Sequence, residues 1–239
     1  MTRQRRPLLL LCLALSGCVR VEGGGEEFRH EDAPPEVVSP AEVARRVIDT
    51  RDVRDHIGYL ASDAMRGRAT PSAELERAAA WIAERFAAAG LEPAGQDGGF
   101  AHFWPYPAYR APGGDEEGGV VQVPNVVGVR AGSDAARAGE YVILMAHFDH
   151  LGVGEPDEGG DSIYNGADDN ASGVAALLEI AEAFSFLPER PARPVLFLAT
   201  SGSERGLLGA SRFAEDPTVF LSEAVAIMTG AAPAPPQEA

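Results

Sequence analysis

The chain has no lysine: all 20 of its basic residues are arginine. This excludes a side-chain amine nucleophile, because a guanidinium stays protonated at any working pH. Positive charge is scarce altogether. With 36 acidic residues the formal net charge is −16, a balance that repels phosphate backbones and excludes nucleic acid as a partner. Cysteine is nearly missing, with Cys12 and Cys18 the only two. Apolar runs are short as well. Leu8 to Leu15 is unbroken but only eight residues long, whereas a bilayer span needs roughly 20.

That run lies behind Arg3, Arg5 and Arg6, and the combination reads as a targeting segment. It ends in Leu15-Ser16-Gly17-Cys18, which resembles a bacterial lipobox. The resemblance implies removal of residues 1–17 as a signal peptide and a diacylglyceryl group on Cys18. The alternative, an ordinary secretory signal followed by an incidental cysteine, is less favoured, because small residues stand just before the cysteine at the right depth. Cys12 lies in the removed part, so no internal disulfide is expected. Residues 18–40 carry Gly23-Gly24-Gly25 and Pro34-Pro35 and read as a flexible tether, in which His30 is solvated. Val19 rather than an acid follows the cysteine. The expected location is the cell envelope, lipid-anchored to the membrane through Cys18, on the outer membrane in a diderm bacterium.

Residues 41–230 hold the periodic part, and 231–239 are a Pro/Ala tail. Ser72 to Ala89 is the clearest helix, with an apolar stripe of Ala79, Ile82, Ala83 and Phe86 and a stop at Gly90. The Gly-, Pro- and aromatic-rich stretch 94–119 reads as a surface loop. Its His102, Trp104, Tyr106 and Tyr109 pack on the domain rather than forming a ligand cage. Val120 to Val129 alternates loosely around Pro124. Tyr141 to Ala146 (YVILMA) and Val195 to Thr200 have the short apolar form of buried strands, and Ala224 to Met228 reads as a third strand. Helices are expected at Ser172 to Phe186 and Leu207 to Ala214. Strands alternating with helices predict an α/β fold, a three-layer α/β/α sandwich with a mixed, mostly parallel sheet.

Functional groups of such sheets gather at the carboxyl ends of the strands. His147 directly follows YVILMA, and Asp149 is placed to take the proton of its second ring nitrogen, as around zinc. An H-x-D triplet alone is more often structural. Asp168 and Asp169 precede a helix, where acids also serve as caps; two adjacent carboxylates otherwise persist most easily beside a cation. Ser203-Glu204 follows the PVLFLATS strand, and Glu204 alone would pass as a surface charge.

Taken together, His147-Phe148-Asp149, Tyr164-to-Gly173 (YNGADDNASG) and Ser203-to-Gly209 (SERGLLG) resemble the zinc aminopeptidases of metallopeptidase family 28. The resemblance runs from about Asp55 to Met228 and includes Arg66-Gly67-Arg68 and Gly90-Leu91-Glu92-Pro93. It implies up to two zinc ions, a peptide substrate, and metal ligation by His147, Asp169 (the bridging carboxylate) and Glu204. Asp168 is then the neighbour of Asp169 and not itself a ligand, and Asp149 orients His147. The same resemblance shows departures. Ser203 occupies the position of the general-base glutamate. Ile227, before Met228, stands where the family has a ligand Asp, and a ligand His further on has no counterpart. The zinc-peptidase-like domain, 41–230, is therefore expected to be incomplete at its C-terminus. Each ion would keep two ligands, giving weak or partial zinc occupancy, and cobalt or manganese would also suit the donors.

Three readings follow. The first is a lipid-anchored zinc aminopeptidase hydrolysing N-terminal peptide bonds. The second is a catalytically inactive envelope lipoprotein that keeps the scaffold and binds a peptide or protein ligand. The third is the remnant of a truncated gene. Glutaminyl cyclases share the fold of the family, so an acyl-transfer relative stands beside these.

Overall fold

The computed structural model describes residues 39–107, 119–220 and 223–230, and for 223–225 the backbone only. Cys18, His30, Tyr109 and the 231–239 tail lie outside them.

Helix α1 (Pro40–Arg45) starts at Ser39, whose hydroxyl accepts the Glu42 N–H. Helix α2 (Thr50–Leu60) is capped in the same way by Asp49. Helix α3 (Ala73–Ala88) realises the expected amphipathic segment: Ser72 caps it, and Leu75, Ala78, Ala79, Ile82 and Phe86 form its buried face. Gly90, at φ +70°, lets the chain leave the helix in the left-handed region that a Cβ disfavours.

The sheet follows. Strands β1 (Glu92–Pro93) and β2 (Ala101–Pro107) both pair antiparallel with β3 (Val120–Arg130). On its other side β3 pairs antiparallel with β7 (Val195–Thr200). Then β4 (Glu140–His147) runs parallel to β7 and to β8 (Glu223–Gly230). The path is β1-β3-β7-β4-β8, with β2 beside β3. The sheet is thus mixed, and its parallel part, β7-β4-β8, carries the site. Between β4 and β7 a two-stranded ladder joins β5 (Gly152–Val153) and β6 (Ile163–Tyr164). Helices α4 (Ser172–Ser185) and α5 (Leu208–Glu215) complete the set.

Every residue of β7 is buried, as a strand covered on both faces requires. Val195, Phe197 and Ala199 join the core formed with α3 and α4, while Leu196 and Leu198 pack with Phe213 of α5. Helices therefore cover both faces, heavily on one and with the short α5 on the other.

One expectation is corrected. Residues 101–107, read as surface loop, are strand β2, and His102 and Trp104 are 1% and 2% exposed. The period-two alternation was present, with His102 and Trp104 inward and Phe103 outward, but Pro105 and Pro107 masked it. Proline is tolerated there because β2 lies at the sheet margin. Pro124 likewise does not break β3, since it pairs with Phe103 of β2 and lies ahead of the stretch, 126–130, that pairs with β7.

Candidate metal centre

β4 and β7 run parallel, with His147 level with Thr200, so both strands release their chain at the same rim. Three segments meet there: the residues after β4, the 166–171 segment leading into α4, and the turn after β7.

The first is anchored by Asp149, whose carboxylate is fully buried. Its Oδ1 accepts the Ser203 N–H at 3.1 Å, and its Oδ2 accepts the Glu204 N–H at 3.2 Å. The hydroxyl of Thr70 also donates to Oδ2, at 3.2 Å, and accepts the Gly202 N–H at 3.1 Å. A buried carboxylate is tolerated when its lone pairs are filled in this way. Asp149 thus fixes the turn that carries Glu204 as well as the imidazole of His147. Nδ1 of His147 lies 3.2 Å from the Asp149 main-chain carbonyl and 3.7 Å from its Oδ1. Two acceptors around Nδ1 place the proton there and leave the Nε2 lone pair facing the pocket.

The second anchor is a cation. Arg68 is fully buried and donates to four main-chain carbonyls: Phe148 (2.8 Å), Asn165 (2.8 Å), Gly166 (3.0 Å) and Leu60. One side chain therefore ties the end of α2 to the His147 segment and to the loop before Asp169. Burial pushes its pKa down to about 10, against the opposing pull of Asp149 and Asp169, so it stays charged at neutral pH. Arg66-Gly67-Arg68, noted in the sequence only as part of a resemblance, supplies this brace.

The third segment brings Asp169 to the pocket with its side chain 52% exposed, Oδ1 standing 3.0 Å from His147 Nε2. Asn170 holds the loop by donating to the carbonyls of Gly230 (2.6 Å) and His147 (3.3 Å) and accepting from the Gly173 N–H. Gly173 is obligatory: a Cβ there would stand 2.6 Å from the Gly230 oxygen and collide with the Asn170 amide. Asp168 is exposed and outside the donor group.

His147, Asp169 and Glu204 each offer a ligand atom, and these atoms lie within 4.8 Å of one another. An imidazole nitrogen with two carboxylate oxygens is a donor set zinc accepts, and three protein donors is the usual number where one position stays open. Atoms bound at roughly 2.0–2.2 Å to one tetrahedral ion stand roughly 3.3–3.6 Å apart. The observed spacing fits that with small side-chain movements. The residues therefore suit a metal ion, and the geometry admits all three donors on one ion, where the sequence had divided them between two.

His147 has a raised pKa. Burial alone would lower it, but the hydrogen bonds and charge of Asp149 and the charge of Asp169 outweigh burial. Ser203 is half-buried at the start of the turn. Ile227 is not at the rim: it pairs with Ile143, and the β8 residue nearest the rim is Gly230, opposite Ala146. Sequence reasoning missed His150, whose Nδ1 lies 3.2 Å from Glu204 Oε1. The signal was the next residue after H-x-D.

Residues 125–229 match the model of Peptidase family M28. A "Probable zinc metalloprotease" of Pyrenophora teres f. teres is 28% identical, across 80% of this chain and 39% of its own length. Among solved structures, a leucine aminopeptidase precursor from Bacteroides thetaiotaomicron superposes with TM-score 0.54 at 18% identity, covering 76% of this chain and 61% of that one. A glutaminyl cyclase from the same organism gives the same TM-score, identity and coverage. The fold is thus shared equally with a leucine aminopeptidase precursor and a glutaminyl cyclase. The chain spans less than half the length of the curated metalloprotease it matches.

Proposed function

From the M28 metallopeptidase kinship of residues 125–229, we propose that this chain is a zinc-holding hydrolase domain of aminopeptidase type, acting on N-terminal peptide bonds. The observation that carries this reading is the convergence of His147, Asp169 and Glu204 from three separate segments. When bound there, zinc supplies Lewis-acid polarisation of a peptide carbonyl and of water. The chain's own residues hold and orient. His147 presents Nε2 because Asp149 and its main chain keep the proton on Nδ1. Asp149 also fixes Glu204 through its main-chain N–H. Asp169 reaches in from a loop braced by Arg68 and Asn170.

Ser203 favours a second reading, a scaffold that binds a peptide without turning it over. A hydroxyl does not accept a proton near neutral pH, and loss of a general base costs about 10²–10⁴-fold. The basic n-region, the Leu8 to Leu15 run and Cys18 support a place in the cell envelope, lipid-anchored, for either reading.

Calorimetric titration of the chain with Zn2+, beside Asp169→Asn and Glu204→Gln, tests the metal reading. Binding by the unaltered chain that both variants lose is the expected outcome. Hydrolysis of an aminoacyl p-nitroanilide by the zinc-loaded chain then separates the two readings. Zinc binding without turnover selects the scaffold, and no zinc binding removes both the centre and the peptidase.

A further inference from the structure

Asp149 fixes the main chain of Glu204, but a glutamate has three side-chain torsions beyond it. Left free, they would have to be ordered when a cation binds, which opposes binding. One neighbouring group restrains them. His150 Nδ1 lies 3.2 Å from Glu204 Oε1, with the imidazole 12% and the carboxylate side chain 22% exposed.

The imidazole is itself held. Its main-chain N–H donates to the Arg68 carbonyl at 3.3 Å. Its ring lies against Gly166, where a Cβ would stand 2.6 Å from both Cγ and Cδ2. Gly166 has φ +62° and opens the segment that presents Asp169. His150 therefore fills the space between the Asp169 loop and the Glu204 turn, and it touches the second through a polar atom. It is not among the donors that converge within 4.8 Å; it reaches the centre through Glu204.

We propose that His150 is a positioning residue of the metal centre: its Nδ1–H donates to Oε1 of Glu204 and leaves the other carboxylate oxygen directed at the cation. This rests on the metal reading above. Ligating carboxylates are commonly hydrogen-bonded from behind, and loss of such a partner typically weakens metal binding about 10–100-fold.

The test uses the full chain, with Zn2+ titrated calorimetrically into the unaltered protein, His150→Ala and His150→Asn. An asparagine amide places a donor near the position of Nδ1. The alanine variant is expected to bind Zn2+ about 10–100-fold more weakly, and the asparagine variant to recover most of the loss. The Co2+-loaded proteins should show the same number of nitrogen ligands in their absorption spectra, since His150 does not touch the ion. If His150→Ala does not fold, His150→Phe fills the space against Gly166 without a donor and carries the comparison. Affinity within about twofold of the unaltered chain in the donor-free variants overturns the inference alone. A lost nitrogen ligand in the Co2+ spectrum also overturns it, by making His150 a ligand. No Zn2+ binding by the unaltered chain overturns the metal reading, and the inference with it.

Discussion

Strand β4 has a parallel neighbour on each side, and the two sides are held very differently. Toward β7, the chain leaves the sheet into a turn whose Gly202, Ser203 and Glu204 N–H groups are taken by Thr70 and Asp149, both buried. Toward β8, the rim is fastened by the Asn170 amide on the Gly230 carbonyl. Ile227 and Met228 are 59% and 57% exposed. A cavity of about 320 Å³ lies between β8, β4 and α4, lined by Leu144, Leu177, Ile180, Phe184 and Met228 among others. Donors that must meet within a few ångströms sit where the backbone is over-determined. Among the described residues, the rim end of β8 carries no acid. Local stability and chemistry follow the same division.

The most damaging way to break this contrast is Arg68→Met, which fills much of the volume but removes every donor. Four carbonyls lose their partner, and Asp149 loses a nearby cation. Each orphaned buried polar group costs about 1–3 kcal/mol, so a loss of about 4 kcal/mol or more is expected in urea denaturation. A change in midpoint no larger than that of an ordinary surface substitution would show that the rim is held by something else. Second in size is Ser203→Glu, which restores a carboxylate at the start of the same turn. A gain of about 10²–10⁴-fold in peptide hydrolysis by the zinc-loaded chain is expected. No gain would mean that the missing base is not what limits turnover.

These substitutions fall on residues the sequence treated unevenly. His147, Asp169 and Glu204 were legible because each follows an apolar strand or opens a helix within a specific string. Strands β4, β7 and β8 were legible as short apolar runs, most directly β7, which is buried at every residue as a strand covered on both faces must be. Arg68 was not legible, because an arginine whose targets are all main-chain carbonyls leaves no pattern among side chains. His150 was overlooked because its partner lies 54 residues away. Strand β2 was hidden by two prolines in a seven-residue alternation.

A smaller effect comes from pH. His147 must lose its Nε2 proton to ligate, and its pKa lies above the ordinary 6.5 because Asp149 and Asp169 outweigh the effect of burial. Protons therefore compete with the cation from a higher pH than for an ordinary histidine. Below that pKa, Zn2+ affinity should fall about tenfold per pH unit. Titrations between about pH 5 and 8 would show the onset. Asp149→Asn removes the charge behind the ring and should move the onset to lower pH. An onset unchanged by that substitution would separate the proton competition from the buried carboxylate.

The smallest expected effect probes the sparsely fastened side. By resemblance, Ile227 stands where a ligand aspartate belongs, yet the register sets it opposite Ile143, four residues before His147. At about 3.3 Å per residue that is roughly 13 Å below the rim, beyond the reach of an aspartate side chain. Ile227→Asp should therefore leave Zn2+ affinity unchanged. Its side chain is already 59% exposed, so a carboxylate there is not forced out of water and stability should hardly move. A gain in affinity of about tenfold or more, 1.4 kcal/mol, would require position 227 to reach the ion. Because alternate residues of a strand face opposite sides, β8 would have to slide by an even number of residues to bring that side chain up on its present face. The pairing of β8 with β4 would then not set its register, and the difference between the two sides of β4 would be one of motion as well as of composition.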